Sequence, residues 1–276
     1  MNHKHADKSK TIRDFGNQWQ IHGELRESFW TSDEMFRSHF PKNFDLKKLQ
    51  GKEILEIGSG SGRILHMISR YKPKNLTGIE PSTGFSKLVE NTKSIPNLKL
   101  VNKTGAEFKA HSLDYIFSLG VIHHIPDPNP VITNAFNSLK PGGILIVWVY
   151  GKENNRLYVT AQYLIRKLTK LLPDIIVDKI SYFLSFAVDF YANIANQFRF
   201  NLPLTEYLTN VYGPCDRNAK KYIIFDQLNP NYAKYYREQE LQELFIKAGF
   251  QNPQLFHRHG YSWTAIGIKP FDTNLR

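Results

Sequence analysis

Three glycines at alternate positions, Gly58, Gly60 and Gly62, follow directly on the run Glu53-Ile54-Leu55-Glu56-Ile57. A short, mostly apolar run bounded by glycine reads as a buried parallel strand. An apolar pattern at helical spacing resumes with Ile64, Leu65 and Ile68, so the glycines occupy a strand-to-helix turn. Glycine is required where φ must be positive or where bare backbone has to touch a ligand. Two common ligand turns are excluded. The dinucleotide fingerprint needs a glycine at its sixth position, which counted from Gly58 is Arg63, and the Walker loop needs a Gly-Lys-Ser/Thr that does not follow.

The downstream order repeats the strand-helix alternation. A second strand, Asn75 to Glu80, ends in an acid twenty residues beyond Gly60 and runs into Pro81 and Ser82, the latter placed to cap a helix through Glu90. A third strand spans Leu98 to Asn102. A fourth, Leu113 to Gly120, leads into Val121-Ile122-His123-His124. The turn Leu139-Lys140-Pro141-Gly142-Gly143 then opens a continuous apolar strand to Val149. Over roughly residues 50–150 this succession resembles the class I S-adenosylmethionine-dependent methyltransferases, whose first motif has the form hydrophobic-(D/E)-hydrophobic-G-x-G-x-G.

The resemblance implies an α/β Rossmann-like core with a seven-stranded, mostly parallel sheet and an antiparallel last strand. It also implies S-adenosyl-L-methionine as cofactor. Glu56, Gly58, Ser59, Gly60 and Gly62 then line its amino-acid and ribose end, and Glu80 with Pro81 holds the ribose hydroxyls. Adenine falls to Gly105, Ala106 and Glu107, with Leu119 and Gly120 closing the site. Gly105 departs from the family, which usually has an acid there; Glu107, or backbone at Ala106, is expected to replace it. Carboxyl ends of parallel strands face the ligand. His124 is therefore expected near the transferring methyl as a general base, titrating near pH ~6.5, while His123 points elsewhere. The adjacent histidines have no third ligand at metal spacing, and no metal is expected.

Outside that core the chain divides into an N-terminal helical cap (1–48), the core (49–150), a helical insertion or lid (151–235), and a C-terminal helix and hairpin (236–270) that complete the sheet. Residues 1–12 read as a disordered basic head, and Phe15 and Trp19 share a helix face that in this family lies over the cofactor. The insertion carries two amphipathic helices split by Pro173, the second running from Asp174 to Arg199 and apolar over half its circumference. Such a helix closes a lid, forms a dimer face or touches a membrane surface, and a lid over the substrate is the expectation. Tyr150, Asp226, Tyr235 and Tyr236 are the candidate substrate residues.

Composition narrows partners and compartment. One cysteine, Cys215, excludes an intrachain disulfide and fits a reducing, cytoplasmic setting. The polar, basic start is no signal peptide, and no run is long enough for a membrane span. A net charge of +11 favours an anionic partner. The expected acceptor is a small molecule, a sugar, nucleotide-sugar or glycan methylated at oxygen. Lipid or quinone precursors and RNA are the alternatives, with nucleic acid set aside because no recognition module or arginine array is present. Oligomeric state is left open.

Overall fold

The computed structural model describes residues 8–197, 204–230 and 232–271. Met1–Asp7, most of the expected basic head, lies outside the described residues, as do Phe198 and Arg199 at the expected end of the second insertion helix. The sheet has seven strands in the order β3-β2-β1-β4-β5-β7-β6. These are β1 (Glu53–Ile57), β2 (Asn75–Ile79), β3 (Leu98–Val101), β4 (Leu113–Leu119), β5 (Leu139–Tyr150), β6 (Gln254–Arg258) and β7 (Ser262–Ile268). The first five pair in parallel, and β7 inserts antiparallel between β5 and β6. The strand order reverses at β1, between β2 and β4, which is where an open α/β sheet offers a ligand crevice.

Burial explains the continuous apolar runs. Ile54, Leu55 and Ile57 of β1 and Ile116, Phe117 and Leu119 of β4 are buried because helices cover both faces. Two polar residues of the sheet have structural jobs. Asp114, which opens β4, accepts the Glu53 N–H at 2.9 Å and the Lys140 ammonium at 3.2 Å, pinning three strands at their starts. Arg258 ends β6 and ties the N-terminal segment down through the Ser38 carbonyl at 2.8 Å.

The core helices are α3 (Arg63–Ser69), α4 (Phe85–Asn91), α5 (Asn129–Ser138) and α10 (Glu238–Ala248). Gly249 ends α10 at φ +110°, the left-handed stop expected of its Ala-Gly-Phe sequence. Ser82 does not cap α4 as expected: its hydroxyl accepts the Gly84 N–H within the preceding turn, and Gly84 holds the cap position without a side-chain bond. The N-terminal cap begins earlier than expected, with α1 (Lys8–His22) already helical where a disordered head was anticipated, followed by the short α2 (Asp33–Arg37). The insertion comprises α6 (Arg156–Thr169), α7 (Asp174–Gln197), the short α8 (Thr205–Tyr207) and α9 (Arg217–Leu228). Among the described residues no helix is long and apolar enough to cross a membrane, and no cluster of potential metal ligands occurs.

Candidate active site

A cavity of about 730 Å³ opens at the carboxyl ends of β1, β2, β4 and β5. Its floor is the glycine turn. Gly58 and Gly60 have φ of +78° and +54°, and the Gly58 and Ser59 N–H groups both donate to the Ile79 carbonyl at 2.8 Å. Glu80 fastens this turn: one carboxylate oxygen accepts the Gly60 N–H at 2.9 Å, the other the Ser82 N–H at 3.0 Å. The first bond draws the tips of β1 and β2 together and the second fixes the carboxylate on its own turn. Glu56, on β1 just before the glycine turn, is 1 % exposed, and its Oε2 has no hydrogen-bond partner. Burial raises its pKa to about 8. An orphaned carboxyl oxygen beside bare glycine backbone is a place for a ligand carrying amino or hydroxyl donors, as the cofactor does.

The expected cofactor residues divide on this wall. Glu56, Gly58, Ser59, Gly60, Glu80, Pro81, Gly105, Ala106, Leu119 and Gly120 line the cavity. Gly62 does not; a Cβ there would lie 2.5 Å from Thr92 Cγ2, so its glycine serves the packing of α3 against α4. Glu107 is also off the wall, because its carboxylate closes the local turn by accepting the Thr104 N–H at 3.1 Å and hydroxyl at 2.7 Å. The missing acid at Gly105 has a steric reason: a Cβ would sit 2.7 Å from Ile57 Cγ2 and 3.0 Å from Val131 Cγ1. Thr104, Gly105, Ala106 and Val131 present backbone and apolar groups to this part of the cavity.

Opposite the glycine turn, α1 and α9 supply an aromatic and polar wall. Trp19 lies flat enough on the turn that a Cβ at Gly60 would come within 2.6 Å of its ring. Phe15 meets the His124 ring edge-on at 4.7 Å. Asp226 of α9 accepts the Tyr150 hydroxyl at 2.7 Å and the Gln18 amide at 2.7 Å, and the same amide reaches the Tyr222 hydroxyl at 3.2 Å. Strand β5, the cap and the insertion thus converge on one carboxylate.

His124 is buried, and its Nδ1 lies 2.8 Å from the Tyr232 carbonyl. A carbonyl can only accept, so Nδ1 carries the proton and Nε2 keeps its lone pair. Burial lowers the pKa to about 4, with Asp226 opposing the shift, so the ring is neutral at neutral pH rather than titrating near 6.5. His123 turns into the interior, its ring 4.0 Å from that of Tyr150, with neither nitrogen bonded; burial holds it well below the ordinary histidine range.

Of the expected substrate residues, Tyr150 and Asp226 line the cavity and Tyr235 and Tyr236 do not. Tyr235 stacks behind Tyr150 with ring centroids 5.4 Å apart. Tyr236 is buried with Leu241 and Phe245 in the core beneath α10. Sequence reasoning passed over Tyr222, Arg63 and Arg258; Tyr222 and Asp226 stand four apart on α9, a helical spacing that signals a shared face. The lid expectation changes in detail: α9 faces the cavity, whereas α6 and α7 pack behind it, with Leu171 in the turn between them 81 % exposed and Phe183 of α7 71 % exposed.

An open sheet reversing at a glycine turn, with acids ending β1 and β2, defines a class I S-adenosylmethionine-dependent methyltransferase domain. Residues 55–147 match the family described as "Methyltransferase domain", and this chain carries that domain. It is 30 % identical over 156 residues to the tRNA U34 carboxymethyltransferase of Sulfurovum sp. (strain NBC37-1), covering 53 % of this chain and 50 % of that one. It is 27 % identical over 146 residues to the ubiquinone biosynthesis O-methyltransferase of Paracidovorax citrulli, covering 48 % and 59 %. The chain thus spans about half the length of the curated relatives it matches. The fold is shared with the magnesium protoporphyrin IX methyltransferase of Synechocystis PCC 6803, at TM-score 0.52 and 11 % identity over 95 % of this chain and 100 % of that one. These relatives overturn the expectation that nucleic acid lies outside the partners, because several are named for tRNA. The absence of a separate RNA-recognition module was poor grounds for that exclusion, since a catalytic cavity can itself receive an unstacked base.

Proposed function

We propose that this chain is an S-adenosylmethionine-dependent methyltransferase that methylates a ring of a nucleoside in RNA. The observation that carries the reading is the continuity of the cavity: about 730 Å³ joins the glycine turn to the wall of Phe15, Trp19, Tyr150 and Tyr222. That lies in the upper part of the range of about 300–1,000 Å³ typical of ligand pockets and suits a cofactor together with a ring-sized acceptor. Bases drawn out of a strand stack on aromatic side chains, and a positive chain attracts the phosphate backbone. The tRNA-directed relatives and the net charge of +11 support the same reading.

When bound, S-adenosylmethionine supplies an electrophilic methyl on a sulfonium, open to in-line displacement by a lone pair. Gly58, Gly60, Glu56 and Glu80 would hold it. The residues around the acceptor orient it, exclude water and take up its proton. His124 Nε2 accepts that proton, while the Tyr232 carbonyl holds the ring in the tautomer that makes Nε2 the acceptor. Asp226, with Tyr150 and Gln18, offers hydrogen bonds to ring N–H or hydroxyl groups.

Protein incubated with methyl-labelled S-adenosylmethionine and bulk tRNA is expected to place label in material sensitive to ribonuclease. A soluble phenolic or quinone-type ring is the second reading, favoured by the aromatic wall and the ubiquinone-pathway relative. Label appearing in such rings and never in RNA would replace the first reading by the second.

A further inference from the structure

Two guanidiniums on the cavity wall lack a counter-charge. Arg63 opens α3 directly after the glycine turn; its Nη1 donates to the Trp30 carbonyl at 3.1 Å, and its guanidinium carbon lies 4.2 Å from the centre of the Trp30 ring. Arg258 reaches the same cavity from the end of β6, 2 % exposed, with Nε and Nη2 engaged by Ser38 at 2.8 and 2.6 Å. No hydrogen bond among the described residues engages Nη1 of Arg258, or Nε and Nη2 of Arg63, and neither residue forms an ion pair there.

The other charges on this wall are matched. Lys87 pairs with Glu90 and Lys221 with Asp178, while Arg26 pairs with Glu24. The carboxylates are spoken for as well. Asp127 accepts from Asn129, Asp216 caps α9 through the Ala219 N–H at 2.8 Å, and Glu80 and Asp226 are bonded as described above. Glu56 and Asp226 are the carboxyls that act on Arg63; burial keeps Glu56 protonated to about pH 8, and Asp226 is already engaged by Tyr150 and Gln18. Arg63 and Arg258 also feel one another: the neighbouring charge adds to burial in bringing Arg258 down to about 10. The buried Arg258 charge without a partner is costly, and the half-buried Arg63 adds a second charge of the same sign to the cavity. Arginine is also the side chain best shaped to grip a planar or tetrahedral oxyanion with parallel N–H donors.

We propose that Arg63 and Arg258 form a seat for an oxyanion, a phosphate or carboxylate, carried by the methyl acceptor. The seat rests on the cavity being the acceptor site, but not on the acceptor being RNA. In the RNA reading the oxyanion is the phosphate of the target nucleotide; with a soluble acceptor it is that molecule's own acid group. The cofactor's carboxylate is the competing source, and it separates cleanly, because saturation with S-adenosylhomocysteine fills that demand first.

The test is a thermal-shift titration with inorganic phosphate against sodium chloride of matched ionic strength, on protein saturated with S-adenosylhomocysteine. The wild type is expected to gain a saturable upward shift with phosphate that chloride does not reproduce. Arg258→Gln and Arg63→Gln are each expected to raise the half-saturating phosphate at least about tenfold, with S-adenosylhomocysteine affinity retained. Lys167→Gln, on the outer face of α6, is expected to leave it unchanged. Arg258 also anchors Ser38, so if Arg258→Gln does not fold, Arg63→Gln alone decides. The seat is refuted by a phosphate effect equal in the variants, by none beyond chloride, or by one that vanishes once S-adenosylhomocysteine is bound. Uridine 5′-monophosphate against uridine then reads the source: a preference for the phosphorylated nucleoside lost in Arg63→Gln supports a nucleotide phosphate, and equal weak binding of both assigns the seat to a non-nucleotide acid. Failure of the seat with tRNA methylation intact would count against the seat alone.

Discussion

The two sides of the cavity are built in different ways. The sheet side binds through backbone: glycines at positive φ, N–H groups fastened to Ile79 and Glu80, and one orphaned carboxyl oxygen on Glu56. The helical side binds through side chains: Trp19, Tyr150, Tyr222, Asp226 and His124, brought from three separate parts of the chain. A backbone cradle suits a ligand that never changes, because it demands only the right φ and the absence of a Cβ. A side-chain wall can be altered one residue at a time without disturbing the sheet. Under the proposed function the cofactor is assigned to the first side and the choice of acceptor to the second.

The sharpest way to break this division is at His124. His124→Ala is expected to lower the turnover rate roughly a hundredfold or more with S-adenosylhomocysteine affinity unchanged, as for loss of a positioned base. His123→Ala should act on stability instead, since its ring has no bonded nitrogen and packs against Tyr150. A loss of cofactor affinity in His124→Ala would place that residue on the wrong side of the comparison. Next in size, Gly60→Ala forces a Cβ into the Trp19 ring at φ +54° and should weaken S-adenosylhomocysteine binding about ten- to a hundredfold, from strain of roughly 1–3 kcal/mol. Gly62→Ala, off the cavity, should lower the melting temperature while largely sparing that affinity. Calorimetry on the pair checks both.

Asp226→Asn keeps the shape of the helical side and removes its charge. Hydrogen bonds to a charged group are worth about 1.5–3 kcal/mol, so KM for the acceptor is expected to rise roughly tenfold, again with cofactor affinity unmoved. The pH dependence gives a smaller, two-part effect. With its pKa at about 4, His124 keeps its lone pair through mildly acidic conditions, so the rate between pH 7 and 5.5 should stay nearly level. An ordinary histidine would cost about tenfold over that span. Stability should run the other way. The folded-state pKa lies below that of the unfolded chain, so the unfolded state takes up the proton first, and stability falls as pH drops from 6.5 towards 4. His39 and His123 act in the same direction, and thermal melts at pH 7 and 5 measure the sum.

The same division decided what could be read from the sequence. The cofactor side is local: Glu53 to Gly62 is one strand and one turn, and Glu80 lies at a distance imposed by a single βαβ unit. The sheet, its switch point and most of the glycine cradle follow from those residues. Gly62 and Glu107 stand off the cavity wall against Thr92 and Thr104, contacts that periodicity does not encode. The acceptor side joins residues 18, 124, 150, 222 and 226 through tertiary packing, and no spacing announces that a cap helix will donate to an insertion helix. Tyr235 and Tyr236, expected at the substrate because they stand beside a motif, lie off the wall, Tyr235 stacked behind Tyr150 and Tyr236 in the core. The depressed pKa of His124 was equally out of reach, because burial is its principal cause.

A crystal structure with S-adenosylhomocysteine tests the central claim most directly. The account predicts the adenosine against Gly105 and Ala106, the ribose at Glu80, the amino group at Glu56 Oε2, and the sulfur facing the space bounded by His124 and Tyr150, with Asp226 still bonded to Tyr150. A ligand bound away from the glycine turn, or one whose sulfur faces away from His124, would contradict it.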